Sequence, residues 1–486
     1  MLGVRIGWLL AALGLSACSL IVGGDDPAEL ELESLAINPG GLDQVFKPET
    51  RNYTATLSYV SQIEVVPRLN DPDARIEVTS AVFPDAQVQP VPSGTAHNIP
   101  VLAGENQLTI RLTTPQDVTT TYTVTVTVPG ARFATPQTTP VMGNPVAVKT
   151  ADFTRDGTPD IVACSSIGVF LFDGDGQPIG GNVGIAPCLD MSIGDVDGVD
   201  GPDLVVVTNT NVVSVNRNLG NGGFHPVDAI FGAGGSSFHA VAFGSIDGDG
   251  TLDVVIGDNN NGKPADGRVR WALGNGDGTF GAIQGDVPIG KNPVSLLLGN
   301  FDTDPSTDAL VLDGDAGAIT LVQGNGAGAF ARTKLDQTET SPETLDTPAR
   351  SLIRINADAD PVGDYAVVHG DRDELAVIRN FAGGDTVFAN LVHDIFPTEA
   401  GPTSVTAADL DRDGNEDLIV TCRNAGVGKV ILFYGDGSGG YSPVGFDSPS
   451  PIGTAVADFN GDELLDLVIL GQDSTAVLQV LLQEAL

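Results

Sequence analysis

Three observations predict an all-β fold. The 486 residues include 61 Gly and 31 Pro, a density of turn formers that suits many short strands and disfavours long helices. Runs such as Thr121–Val128 place Tyr and Val on one face and Thr on the other, as a half-buried strand does. A motif of the form D-x-D-x-D-G-x-x-D, followed by an apolar triplet, occurs seven times within residues 131–486. A period near 50 residues with about four strands per copy is what a propeller blade requires. The predicted fold class is a seven-bladed β-propeller preceded by a small β-sandwich domain.

The chain is strongly acidic, with 63 Asp and Glu against 23 Lys and Arg, a net charge of −40. Nucleic acid is therefore excluded as a partner, because polyphosphate binding runs on clustered basic side chains. An anionic membrane surface is excluded as a direct ligand for the same reason. Calcium, or a neutral or cationic partner, is compatible with the charge. Hydrophobic residues make up 41% of the chain, enough for a packed core.

Residues 1–17 carry Arg5, an apolar run from Ile6 to Leu15 and then small residues, the pattern of an export signal. Its end, Leu15-Ser16-Ala17-Cys18, resembles the lipobox of bacterial lipoproteins. That resemblance implies cleavage before Cys18, acylation of its thiol and membrane attachment through the lipid anchor alone. Ser19 is not Asp, which in that family implies an outer-membrane or cell-surface location. Residues 18–30 then read as a short acidic tether. No later stretch is long and apolar enough for a spanning helix.

Residues 31–129 form the first unit. Tyr53–Leu57 and Gln107–Leu112 alternate like Thr121–Val128, and about 100 residues of such strands with Gly and Pro turns suit a sandwich. The unit resembles the bacterial cadherin-like β-sandwich family. The resemblance is carried by Leu32-x-x-Leu35, Gly41-Leu42, Phe46-x-Pro48, Tyr53, Gly104-x-Asn106 and Tyr122-x-Val124-x-Val126.

Residues 131–486 form the second unit. The repeated motif begins at Asp152, Asp195, Ser245, Asn300, Asn356, Asp409 and Asp458. Between copies lie Gly-rich turns ending in an aromatic residue, such as Gly274–Phe280 and Gly324–Phe330. These repeats resemble the FG-GAP (VCBS) repeats of integrin-type β-propellers, and seven copies imply seven blades. The segment 131–136 is expected to complete the last blade and close the ring.

In such a loop, alternate residues turn their oxygens towards one centre, which suits a hard cation wanting about six to eight oxygens. Ligands are expected from the side chains at positions 1, 3, 5 and 9 and from the carbonyl at 7, with Gly at 6 for the turn. Asp409, Asp411, Asp413, Asn415 and Asp417, with Gly414, fit completely. Asp152, Thr154, Asp156 and Asp160 carry Thr at position 3. Asp458, Asn460, Asp462 and Asp466 carry Glu463 at position 6. Asn300, Asp302, Asp304 and Asp308 carry Pro305 there, and Asn356, Asp358, Asp360 and Asp364 carry Pro361. The third copy keeps Asp247, Asp249 and Asp253 behind Ser245. The second is irregular: Asp195, Asp197 and Asp203 hold their places, with Val199 at 5 and Asp200 at 6. Up to seven calcium ions are expected, with divergent loops empty. An EF-hand is excluded, because its twelfth position needs Glu and here holds Val420 or Ala163.

On this blade geometry Cys164 ends the strand leaving the first loop and Cys188 begins the strand entering the second. They can form a disulfide at the face opposite the loops, or remain two buried thiols. Cys422 reads as an unpaired strand residue.

No catalytic constellation is expected. His97, His225, His239, His369 and His393 are scattered and form no metalloprotease or nucleophile-elbow pattern. Trp271 is the only Trp beyond the signal, so a Trp-rich sugar-stacking platform is missing. The sequence reading is a non-catalytic adhesion or display module for a protein or glycan at the cell surface. Two alternatives stand beside it: a polysaccharide-acting propeller enzyme or lectin, and a structural component of an envelope complex.

Overall fold

The computed structural model describes residues 30–60, 62–82, 90–183, 187–225, 228–232, 237–259, 267–301, 304–335, 348–358, 363–381, 392–423, 427–472 and 474–485. The signal, the tether, Cys18, Asp302 and Asp360 lie outside these residues. All regular structure among them is strand and turn. No helix there is long and apolar enough to cross a membrane.

The first unit is two facing sheets. One orders Leu32–Asn38, Gln62–Leu69 and His97–Pro100, all antiparallel. The other orders Asn52–Thr56, Thr119–Val128, Gly104–Thr113 and Arg75–Ser80, with the first pair parallel. Alternation in the sequence becomes alternation in burial: Tyr122, Val124 and Val126 face the core with Leu108, Ile110 and Leu112. The Tyr122 hydroxyl accepts from the Leu32 amide (3.1 Å) and donates to the Pro48 carbonyl (2.7 Å), joining the first strand to the Phe46–Pro48 bend. Three of the resemblance residues, Leu32, Pro48 and Tyr122, thus meet at one hydroxyl.

Among the described residues seven four-stranded antiparallel sheets follow, the seventh built from Pro451–Ala457, Asp466–Gln472, Ala476–Leu481 and the early strand Gln137–Val141. The first strands of the sheets, from Pro145–Ala151 to Pro451–Ala457, lie side by side, and the seventh adjoins the first. They enclose a channel of about 840 Å³. This is a propeller. The second strands are buried at every residue in five sheets, among them Asp160–Ser165, Asp203–Thr208 and Asp417–Cys422, and at all but one end residue in Gly363–His369 and Asp466–Gln472. They lie between neighbouring sheets, so both faces must be apolar, and that explains the apolar triplet after each motif.

Ring closure differs from the expectation. Residues 131–136 do not complete the last sheet: Arg132–Phe133 pairs with Gln483–Glu484 in a separate two-stranded ribbon, and Gln137–Val141 closes the ring. The cause is where the chain enters. The Ala131 amide donates to the Tyr434 hydroxyl (2.8 Å) on the third strand of the sixth sheet, so the next residues are spent reaching the seventh. Cys164 and Cys188 form a disulfide with a Cα–Cα distance of 5.6 Å, and Cys422 is free and buried. Neighbouring sheets are also laced along the channel. The Asp190 Oδ2 accepts from the Val241 amide (2.9 Å), and the Ser351 Oγ accepts from the Val405 amide (3.5 Å).

Candidate metal loops and the seam beside them

Each motif loop joins the first strand of a sheet to the second. The last motif residue opens the second strand, so Asp160, Asp203, Asp253, Asp308, Asp364, Asp417 and Asp466 are buried, none more than 1% exposed. In all seven, Oδ2 accepts the amide of motif position 2, from Phe153, Val196, Ile246, Phe301, Ala357, Leu410 and Phe459 at 2.7–3.0 Å. In five, Oδ1 accepts a second amide from across the sheet: Asn218, Gly274, Gly324, Gly435 and Gln483. Burial holds the carboxyls of Asp160, Asp203, Asp253, Asp417 and Asp466 above the usual range, Asp203 at about 6 and Asp417 at about 7. Position 9 is therefore first a staple that closes the loop onto its sheet, with lone pairs left over for a cation.

Positions 1, 3 and 5 are held differently, by chained turns within the loop. In the sixth loop Asp409 accepts the Gly414 amide (3.0 Å), Asp411 the Asp413 amide (3.3 Å) and Asp413 the Asn415 amide (2.8 Å). The backbone at positions 4 and 6 must be left-handed: φ is 62° at Arg412 and 90° at Gly414. Asp200 and Glu463, two of the four departures from Gly at position 6, take the same turn with φ of 60° and 68°. Pro305 cannot, because its ring fixes φ near −65°.

Ligand atoms of Asp409, Asp411 and Asp413 lie within 4.8 Å of one another. So do those of Asp195, Asp197 and Asp203, although that copy departs most from the motif. Among the described residues no other His, Cys, Asp or Glu trio gathers so closely. One buried oxygen of Asp409 and one of Asp152 has no hydrogen-bond partner. A buried carboxylate oxygen without a donor is costly, and a hard cation would satisfy it. The first and sixth loops fit a cation on that ground, and the second on its clustered carboxylates. Asp156, Asp249 and Asp462 keep the turn at position 5, accepting the amides of Thr158, Thr251 and Leu464. In the third loop the Ser245 Oγ reaches the Gly250 amide only at 3.4 Å, with Asp247 turned onto Asp249. In the seventh, Asp458 binds the Gly461 and Glu463 amides and Asn460 the Asp462 amide. The fifth loop fits least: the Arg379 guanidinium already faces Asp358 (3.4 Å), and Glu416 binds the Asn356 amide. In the fourth, Asn300 turns its amide onto the Asp304 carbonyl (2.5 Å).

Sequence reading missed a residue from the other domain. Tyr59, just past the strand Asn52–Thr56, donates its hydroxyl to Asp411 Oδ2 at 2.6 Å. Its ring stacks on Tyr434 with centroids 4.4 Å apart and planes 8° from parallel. Tyr434 in turn holds the linker: a Cβ on Gly130, whose φ is 115°, would stand 2.9 Å from the Tyr434 ring. Burial, helped by Asp411, pushes the Tyr59 phenol up, so it remains a donor at neutral pH. No local pattern marks a contact 352 residues apart in sequence.

The histidines form no cluster. His239 lines the channel and contacts the Ser237 hydroxyl at 3.2 Å, and His369 is buried.

Comparison with known proteins agrees with the two-part architecture. The cadherin-like β-sandwich domain family matches residues 31–129, and the FG-GAP-like repeat family matches residues 195–256 and 246–311. Among solved structures, BBS1N in complex with ARL6DN, soaked with lead, is 15% identical with a TM-score of 0.52, covering 73% of this chain and 97% of that one. The mercury-soaked form of that complex is 13% identical with a TM-score of 0.50, covering 73% and 98%. The BP39L lectin of Burkholderia pseudomallei is 17% identical with a TM-score of 0.47, covering 70% and 97%. The first two of these likenesses bear on the fold alone. No curated protein matches the chain.

Proposed function

We propose that this chain, a cadherin-like β-sandwich joined to FG-GAP-like repeats, is a calcium-stabilised binding module without catalytic turnover, held at the cell surface by a lipid on Cys18. The observation that carries the calcium reading is the sixth loop, where three carboxylates converge and one buried Asp409 oxygen lacks a donor. Asp409, Asp411, Asp413 and the Asn415 carbonyl would hold the ion, with Asp417 behind them. The ion supplies charge neutralisation and loop closure. Each loop lies at the same end of its sheet, so occupied loops would stiffen one face of the propeller. The opposite face carries exposed Met142, Ile167 and Leu189 and is the surface offered to a protein or glycan partner.

The test is thermal unfolding in EGTA and across a calcium titration, with the ion content of the purified protein measured alongside. A midpoint that rises with calcium supports the reading. A flat midpoint with no bound calcium would reduce the loops to turn chemistry. Mass spectrometry of the membrane-extracted protein tests the anchor: an acylated N-terminal Cys18, absent from a Cys18→Ala variant, is expected.

A further inference from the structure

We infer that Tyr59 makes the sixth loop an interdomain calcium clasp, in which the sandwich domain positions a calcium ligand of the propeller. The inference rests on the calcium reading above and goes beyond it, because it assigns one loop a task the others lack.

The geometry has three parts. First, Tyr59 is the residue of the sandwich that donates to Asp411 Oδ2, and Asp411 is the third-position carboxylate of the loop that fits a cation best. Ligating carboxylates are oriented by hydrogen bonds from behind, and removing such a partner typically weakens metal binding about 10–100-fold. Second, the hydroxyl is aimed by a rigid stack. The Tyr59 ring lies flat on Tyr434, and Tyr434 is fixed by the Ala131 amide and by the close passage of Gly130. The stack and the hydrogen bond together hold the ring in one orientation against the propeller. Third, the seam around the clasp is incompletely filled. A cavity of about 350 Å³ lies beside it, lined by Val60, Val101, Leu432, Val444 and Phe446. The apolar contact of Tyr59 with the sixth-sheet cluster thus borders a void, and the polar contact at Asp411 adds a directional tie beside it.

The coupling is reciprocal. If Tyr59 strengthens calcium binding at this loop, bound calcium strengthens docking of the sandwich by the same factor. Calcium at this loop would then set the angle at which the sandwich stands on the propeller.

The experiment uses the full chain and three proteins: wild type, Tyr59→Phe and Asp411→Asn. Phe keeps the stack on Tyr434 and removes only the hydroxyl. Calcium binding is followed by calorimetric titration, and domain arrangement by small-angle scattering with and without calcium. Loss of a binding event in Asp411→Asn identifies the transition belonging to the sixth loop. The clasp predicts that Tyr59→Phe weakens that transition about tenfold, leaves the others unchanged, and abolishes a calcium-dependent compaction seen in wild type. An unchanged affinity in Tyr59→Phe, with Asp411→Asn still losing a site, overturns the clasp and leaves the calcium reading standing. No calcium uptake by wild type overturns both.

Discussion

The fourth and sixth motif loops share one half of their design and differ in the other. In both, the ninth-position aspartate is buried and accepts two backbone amides: Phe301 and Gly324 for Asp308, Leu410 and Gly435 for Asp417. In the sixth, Gly414 turns with φ of 90°, and three carboxylates converge around an oxygen without a donor. In the fourth, Pro305 forbids that turn, and Asn300 spends its amide on the Asp304 carbonyl. On the calcium reading the repeat therefore carries two tasks: position 9 staples the loop to its blade, and positions 1, 3 and 5 would supply most of the ligands for an ion.

The sharpest way to break this comparison is to remove the staple from both loops. Asp308→Ala and Asp417→Ala each leave two buried amides without acceptors, at about 2–5 kcal/mol. The two losses should be similar when measured by denaturant unfolding in EGTA. A small loss at Asp308 alone would tie the staple to the metal and merge the two functions.

Calcium should then separate the loops. At calcium 100-fold above its dissociation constant, each occupied loop adds about 2.7 kcal/mol. Asp409→Asn should remove about one such increment from the calcium-dependent stabilisation, whereas Asn300→Ala should leave that stabilisation unchanged. Equal effects would mean that Pro305 does not empty the fourth loop.

What the sequence made legible follows the same division. Alternating carboxylates in a tight loop leave a local signature, so the seven loops and the buried strands behind them could be read directly. The left-handed backbone of Asp200 and Glu463 could not, because a departure from Gly reads as a defect until the turn is seen to survive it. Ring closure was misplaced by one strand because the linker's path is set by Tyr434, about 300 residues downstream. The seam escaped for the same reason: Tyr59 and Asp411 meet through the tertiary fold and leave no mark near either residue.

A smaller effect contrasts two equivalent positions on the channel wall. Asp190 and Ser351 each accept an amide from the next sheet. Burial raises the Asp190 carboxyl to about 6, with Lys149 and the Val241 and Met191 amides pulling it back. A raised folded value means that the native state holds a proton which the unfolded chain has already released. Stability from this group is therefore present at about pH 4 and lost as pH rises through about 6. The loss is about 1–2 kcal/mol once screening by channel water is allowed for. Asp190→Ser should reduce the slope of denaturant unfolding across pH 4–7 relative to wild type, with both proteins freed of calcium beforehand, because the loop carboxyls Asp203 and Asp417 titrate in the same window and cancel only in that comparison. An unchanged slope would show that the channel already solvates the charge.

The smallest effect concerns the turn itself and compares the sixth loop with the seventh. Glu463 adopts φ of 68° at the position where Gly414 has 90°. A side chain there crowds the backbone at about 1 kcal/mol, and Gly relieves it while adding freedom to the unfolded chain. Glu463 gains little in return, because its contact with Arg412 is 3.7 Å long and both side chains are solvent-exposed. Glu463→Gly should therefore stabilise by about 0.5 kcal/mol, and Gly414→Ala should destabilise by about 1 kcal/mol. A Cβ on Gly414 meets nothing within 4 Å, so that cost would be backbone strain alone. If the two substitutions moved stability in the same direction, the loops would not share one turn, and the seventh would need a different account of how it places Asp458, Asn460 and Asp462.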